Sequence, residues 1–541
     1  MTSDNHPAAM CEKIPRPLYQ QSKRTMNLKR FWGDTHVNIL QRPGHDEDAD
    51  LLMRENARHL DFVVLAYYAS HRHWVGPDKN LDIEDWKPDA QLQEEWRRIR
   101  RLAASWNRPG RFVAFPGYEW QGDGQDGDHN VFYSDDDVPL FKTDRLAGLY
   151  DEIRRSSHAA MVIPHHTAYQ VGFRAKNWDI HDPRLSPFAE IYSGHGSSES
   201  DEEWIGLRRV WQMGPNVSGG TVADGLDRGH RIGILASTDS NDGFAGAYGK
   251  GLAACYAPSL SRQSLWEAFA ARRVYGVTGD RIALDVGIDG ALMGDVLERP
   301  GNLTVHASVR GCDALDRTEL LCDNQVVQTH CHQGTWAVPR DGRVRAKIRY
   351  EMGWGPKRPW VDGVQPHVWE GTIRLSEGRI LSIERCFRRE GQRVWQETGS
   401  ECAFRVTTDR DPSARMPITD ALVLEVEAPT SATLRLEADG WRDRCTLLEA
   451  MQASRIIHNP DHTAAYIEKT FGVTWNDVRR HDYWYFHAWK VKRHRAIPAA
   501  GYSAELRFPR PAIPGNHHYR LRVEQRNGQR AWSSPIWIEE H

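Results

Sequence analysis

Along the first half of the chain, short and almost wholly apolar runs alternate with longer polar or helix-patterned stretches. Phe62-Val63-Val64-Leu65, Phe112-Val113-Ala114-Phe115, Met161-Val162-Ile163, Glu190-Ile191-Tyr192 and Ile232-Gly233-Ile234-Leu235-Ala236 are such runs. A strand buried on both faces has no polar alternation, so these runs predict parallel strands covered on both sides. Residues 91–106 and 261–271 carry apolar side chains at helical spacing with charge opposite, as the outer helices of an α/β barrel would.

Near residue 285 the period changes. Residues 303–309, 421–426 and 519–523 alternate apolar and polar, the period-two pattern of antiparallel strands with one face on a core. Helical spacing at about 445–454 and 463–470 interrupts them. The chain is therefore expected to divide into a polar N-terminus (1–27), an α/β unit (28–285) and a β-sandwich-type region (286–541) with a helical insertion near 445–475. Tyr483, Trp484, Tyr485, Phe486 and Trp489 read as core or domain interface rather than as a sugar platform, because aromatic residues dominate such packing.

Composition narrows the partner. The 541 residues include 70 basic and 73 acidic side chains, a formal charge of -3 that favours neither nucleic acid nor a membrane surface and leaves a small molecule as the expected substrate. Mean hydropathy is -0.64, and no apolar run approaches the roughly 20 residues that span a bilayer. Residues 1–27 lack the apolar centre of a secretory signal, so a cytoplasmic location is expected. Eight cysteines are scattered without a CxxC pair, which argues against a zinc ribbon or disulfide framework and for reduced thiols. His330-Cys331-His332 invites a metal reading, but strand alternation puts Cys331 on the opposite face from both histidines.

Four polar segments close or follow apolar runs: Gly33-Asp34-Thr35-His36, Gly117-Tyr118-Glu119-Trp120, Ile163-Pro164-His165-His166 and Ser237-Thr238-Asp239-Ser240-Asn241. His, Glu and Asp at the ends of successive strands are the side chains that hold a divalent metal where loops build a site. Glu119 and Asp239 each follow apolar sequence, where an unpaired carboxylate would be strongly destabilising, so a cation is the simplest partner. Oxygen and nitrogen donors without thiolate suit zinc, manganese or iron. No G-x-S-x-G elbow accompanies Ser197 or Ser198, which sets a serine hydrolase aside.

These segments, with Leu60-Asp61-Phe62, His129-Asn130-Val131 and Glu190-Ile191-Tyr192-Ser193-Gly194-His195-Gly196, stand in an order that resembles the PHP-type (polymerase and histidinol phosphatase) metallohydrolases. The closing Ala531-Trp532-Ser533-Ser534-Pro535-Ile536-Trp537 is similar to an uncharacterised branch of that family with a β-rich C-terminal half. The resemblance implies a distorted seven-stranded α/β barrel, divalent metal ions and phosphoester cleavage. By position, it implies that His36 is the first histidine of an HxH motif, Glu119 the carboxylate bridging two metals and Asp239 the last-strand aspartate. His129 with His165 or His166 would complete a second metal, and Glu190, His195 and Asp34 would stand at the rim or orient a ligating imidazole.

Three of the family's histidines are replaced: the chain has His36-Val37-Asn38, Ala66-Tyr67-Tyr68 and Asp239-Ser240-Asn241. Asn38 can still coordinate through its amide oxygen. Tyr68 and Asn241, where ligands of a third metal would be, fall to the substrate side, and one or two ions remain. Arg174 offers a planar fork for an anionic group or, equally, a surface salt bridge. The implied reaction is hydrolysis by metal-activated water, with Glu119 at the metals and Asp239 or His195 moving the proton. Hydrolysis of an amide or carbohydrate-derived substrate, or a degenerate ligand-binding protein, are the alternatives.

Overall fold

The computed structural model describes residues 27–40, 49–74, 82–203, 219–241, 243–298, 301–332, 334–337, 339, 342–355, 366–408, 419–478 and 488–540. Of the aromatic cluster, only Trp489 lies among them. The first half contributes thirteen strands: β1 (Lys29–Ile39), β2 (Phe62–Tyr68), β3 (Ser70–Trp74), β4 (Asp82–Trp86), β5 (Val113–Phe115), β6 (Gly117–Trp120) and β7 (His129–Tyr133), then β8 (Ala160–Pro164), β9 (Phe188–Ser193), β10 (Gly196–Ser197), β11 (Gly233–Ala236), β12 (Leu252–Ala257) and β13 (Val274–Val277). Each of the five apolar runs forms a strand. Every residue of β2, β5, β8 and β11 is buried, which is why the runs could be apolar throughout. The helices Asp89–Trp106 and Arg262–Ala270 stand where helical spacing puts them.

The pairing is mixed. β1 with β2, β2 with β5 and β6, and β9 with β11 run parallel, whereas β6 with β7, β7 with β8, β1 with β12 and β12 with β13 run antiparallel. Only eight residues join β6 to β7, fewer than a parallel crossover requires, so this pair turns back on itself. The first-half strands consequently lie in different sheets, mainly a fourteen-stranded one and the three-stranded β10-β9-β11, rather than in one hydrogen-bonded ring of seven parallel strands. The two meet where β1 ends: Val37 bridges to Ser240, and the Asn38 N–H donates to the Ser240 carbonyl at 3.0 Å.

The large sheet crosses residue 285. β13 pairs with the strand Arg530–Ser533, and His517–Gln525, Ile536–Glu539, Leu315–Cys322 and Gln325–Cys331 extend the same ladder. Between them, a six-stranded and a five-stranded sheet from residues 343–498 enclose a separate core that includes Ile348, Trp369, Phe404, Leu424 and Trp441. The strand Leu303–Arg310 is buried at strictly alternate positions, as its period-two sequence requires. Helices Leu447–Gln452 and Pro460–Phe471 lie in the stretch where helical spacing interrupts the strands. No described helix is long and apolar enough to cross a membrane.

Candidate metal centre

A bulge in β1 aims the first donor. The β1–β2 register shifts between Asp34 and Val37, and an irregularity of this kind re-aims a side chain. Asp34 then fixes the segment: its carboxylate accepts from the backbone N–H of His36 (3.0 Å), Thr238 (3.2 Å) and Gly246 (2.9 Å) and from the Thr238 hydroxyl (2.5 Å). One buried side chain thereby ties the His36 strand to the loop that carries Asp239. Gly117 permits the kink between β5 and β6, since a Cβ there would stand 2.6 Å from the Leu65 carbonyl oxygen. Glu119 follows two residues later.

The donors converge. His36 Nε2 lies 3.5 Å from Glu119 Oε2 and 3.5 Å from Asp239 Oδ1, while His36 Nδ1 lies 3.3 Å from Glu190 Oε2. His165 Nε2 is 3.7 Å from Glu119 Oε1, and His166 Nε2 is 3.3 Å from Asp128 Oδ2. Three overlapping donor groups result: His36, Glu119 and His165; Asp128, His165 and His166; and His36, Glu190 and Asp239. Ligand atoms in a tetrahedral shell with bonds of about 2.1 Å stand about 3.4 Å apart, which is the spacing seen here.

Most of these contacts are long for hydrogen bonds, and several of the atoms have no other. His36 Nε2, Glu119 Oε2 and both nitrogens of His165 are buried and make no hydrogen bond. Such unmet groups cost about 1–3 kcal/mol each, so several at one point are the mark of something that binds there. The residues fit a divalent ion.

The protonation states of the carboxylates and of His165 and His166 agree with that. Burial pushes Glu119 and Asp239 up, but the His165 and His36 imidazoles about Glu119, and His36 with His195 about Asp239, hold both well below the usual carboxylate range. Burial lowers His165 to about 4 and His166 to about 3, with adjacent imidazoles adding to it. His36 alone goes up, because Asp239, Glu119 and Glu190 outweigh its burial. Neutral His165 and His166 beside ionised carboxylates are the forms that ligate metal.

The backbone is strained at the same place. Asp239 (φ 49°), His166 (φ 33°) and Arg174 (φ 68°) are non-glycine residues in left-handed conformations, and strain of this kind collects at functional sites.

Other expected residues take different places. None of the three donor groups contains His129: its Nδ1 faces the Gly127 carbonyl at 2.8 Å, leaving Nε2 buried and without a hydrogen bond. Asn38 turns its amide nitrogen toward Asp239 Oδ1 (3.3 Å) and Asn241 Oδ1 (3.0 Å), and its amide oxygen is buried without a hydrogen bond. Tyr68 accepts from Gln121 Nε2 (3.1 Å), which also donates to Glu119 Oε1 (2.7 Å). Arg174 is not exposed: it is buried in an ion pair with Asp128. His195 Nε2 stands 3.0 Å from Asp239 Oδ2, and its Nδ1 meets the Tyr169 hydroxyl at 2.5 Å.

Sequence reasoning missed Asp128, Gln121 and Tyr169. Asp128 directly precedes His129 in Gly127-Asp128-His129, and that adjacency was its only signal. The other two are identified only by what they touch.

Comparison with known proteins gives these findings. A family model described as a protein of unknown function (DUF3604) matches residues 26–181. An uncharacterized protein of Chlamydia pneumoniae is 28% identical over 320 residues, 55% of this chain and 48% of the relative. One from Chlamydia trachomatis is 27% identical over 267 residues, 44% of this chain and 42% of the relative. The chain thus spans about half the length of the curated relatives it matches. A solved two-domain protein from Bacteroides vulgatus, described as containing a predicted PHP-like metal-dependent phosphoesterase, is similar with a TM-score of 0.31 and 10% identity, over 78% of this chain and 96% of that one.

Proposed function

We propose that the chain is a PHP-like metal-dependent hydrolase that cleaves a small anionic ester, a phosphoester first among these, with one or two divalent ions of zinc, manganese or iron. The observation that carries this reading is the buried set of His36, Glu119, His165 and Asp239, whose donor atoms lie 3.3–3.7 Å from a neighbour and in large part lack hydrogen bonds. An ion held there supplies a Lewis acid and lowers the pKa of bound water toward about 7.

The chain's own residues supply the rest. Glu190 Oε2 orients the His36 ring through Nδ1, and Gln121 fixes one oxygen of Glu119. Asp34 holds the His36 and Asp239 segments in register. His195 is the group placed to hold or move a proton: Nε2 contacts Asp239, Tyr169 anchors Nδ1, and part of the ring reaches solvent. Because Arg174 is committed to Asp128, recognition of the anionic group falls to the metal site itself and the loops around it. The bridge from β1 to Ser240 supports reading the first-half sheets as a distorted barrel.

The test is metal analysis of the purified chain, followed by phosphoester, sulfate ester and amide substrates with each metal, for the wild type and Glu119→Gln. Metal-dependent phosphoester cleavage that is lost in Glu119→Gln is expected. Cleavage of amides alone would replace the ester reading with one of C–N hydrolysis. A chain that neither retains metal nor gains activity from it, and that Glu119→Gln leaves unaltered, is a binding protein and not an enzyme.

A further inference from the structure

The hairpin of Leu315–Cys322 and Gln325–Cys331 turns at Asp323-Asn324, both with positive φ (48° and 64°), the two-residue geometry that matches strand twist. On its other side, Leu315–Cys322 pairs antiparallel with His517–Gln525 so that Cys322 faces Tyr519. This register brings the turn over the first residues of the neighbouring strand. Cys322 Sγ lies 3.7 Å from Asp323 Oδ2, His517 Nδ1 2.6 Å from the same oxygen, and His518 Nδ1 3.3 Å from Asp323 Oδ1.

The hydrogen bonds of His517 fix its tautomer. Its Nε2 faces the Pro514 carbonyl at 2.9 Å, and a carbonyl only accepts, so the hydrogen is on Nε2. In the neutral ring, Nδ1 then presents a lone pair to an ionised carboxylate oxygen. Two acceptors in contact require a proton or a cation between them. A ring nitrogen bonded to a backbone carbonyl while the other faces a charged cluster is also the usual arrangement of a metal-ligating histidine. One thiol, one carboxylate and one imidazole are donors that a zinc-type ion takes, with the remaining position left to solvent. The site opens on a cleft of about 370 Å³ lined in part by Asp323, His517, His518 and Arg231, and Arg231 is itself paired with Glu539.

We propose that Cys322, Asp323 and His517, whose ligand atoms lie close enough together to share one ion, form a second divalent-metal site of zinc class, independent of the cluster at His36. On binding, the Cys322 thiol releases its proton to solvent and ligates as thiolate, and His517 ligates as neutral imidazole. The His517–Asp323 contact widens by several tenths of an ångström to admit the ion. The ion pins the hairpin turn to the end of the adjacent strand.

Cobalt(II) titration of the metal-free full chain tests this, because the His36 cluster contains no sulfur. A thiolate-to-cobalt charge-transfer band is expected for the wild type and for His36→Ala. It is expected to vanish in Cys322→Ser and in His517→Ala, each of which binds one ion fewer than the wild type. Absence of the band from the wild type at saturating cobalt would mean that the His517–Asp323 contact is an imidazolium ion pair, and would overturn the proposal. Persistence of the band in Cys322→Ser would trace it to another cysteine, with the same result.

Discussion

Buried charge in the C-terminal half and buried charge around His36 are met in different ways. In the sandwich, Asp443 accepts from Arg493 Nε (2.8 Å) and Arg455 (3.2 Å), and Arg493 donates onward to the Ala453 carbonyl (3.0 Å). Where that region meets the large sheet, Asp280 takes Arg349 through both oxygens (2.8 and 2.9 Å), with Gln525, Asn527 and Tyr248 completing it. Around His36, equally buried acids and imidazoles stand 3.3–3.7 Å apart, and several of their polar atoms make no hydrogen bond. Burial of charge alone therefore does not mark a site. What distinguishes the cluster is that several buried atoms without hydrogen bonds gather at one point.

The contrast can be broken experimentally, beginning with the largest effect. Glu119→Gln is expected to lower kcat/KM at least a thousandfold, measured on the best substrate of the panel. It should also abolish the rise in thermal stability that added metal gives the wild type, about 3 kcal/mol at a hundredfold excess over Kd. If Glu119→Gln instead melts like a variant with a broken structural pair, the two regions are alike. Asp443→Ala is that reference: it strands Arg493 in the interior and should cost about 3–5 kcal/mol in denaturant unfolding while leaving metal content unchanged.

Smaller effects sharpen the same comparison. His195→Ala is expected to lower kcat about a hundredfold with bound metal unaltered. Tyr169→Phe, which removes only the anchor at Nδ1, should cost about tenfold; equal losses would make both residues merely structural.

The smallest expected change is in the sandwich. Burial, reinforced by His462, lowers His367 from 6.5 to about 4 among Trp369, Trp441 and Trp489. A base whose folded value is depressed lends stability above its unfolded value that is lost as pH falls through the folded one. Between about pH 6.5 and 4, unfolding free energy should therefore drop by roughly 1–2 kcal/mol after allowance for partial exposure. His367→Phe should remove that slope, as read from urea midpoints at several pH values.

Much of the architecture was legible where a local pattern has one physical solution. Phe62-Val63-Val64-Leu65 had to be a strand covered on both faces, and residues 303–309 one with a single buried face. Pairing direction was not legible, because it depends on how far apart in space short strands end, and β6, β7 and β8 run antiparallel where a repeating barrel pattern predicts parallel neighbours. The pattern change at 285 coincides with no break in the large sheet, since β13 completes its ladder with residues 530–533 from the far end of the chain.

The sites divide in the same way. His36, Glu119, His165, His166 and Asp239 could be singled out as candidates because their segments close or follow apolar runs, where a charged side chain has no cheap alternative. Arg174 and Asn38 were readable as candidates but not as to role: a guanidinium or an amide serves equally as ligand, brace or ion-pair partner, and the choice follows from its neighbour. For Arg174 that neighbour is Asp128; for the amide nitrogen of Asn38 it is Asp239 with Asn241. In the hairpin at 315–331, sequence drew attention to His330-Cys331-His332, yet the donors gather at the opposite end, around Asp323.

By itself the sequence determined the apolar strands, the two periods of the two halves and the donor residues at strand ends, all properties of neighbours along the chain. Only the tertiary structure decided which donors share a centre, which hydrogen bonds stay unmet and which distant strands close the sheet. Those depend on contacts between residues up to 200 or more positions apart, such as His36 with Asp239, which no local pattern encodes.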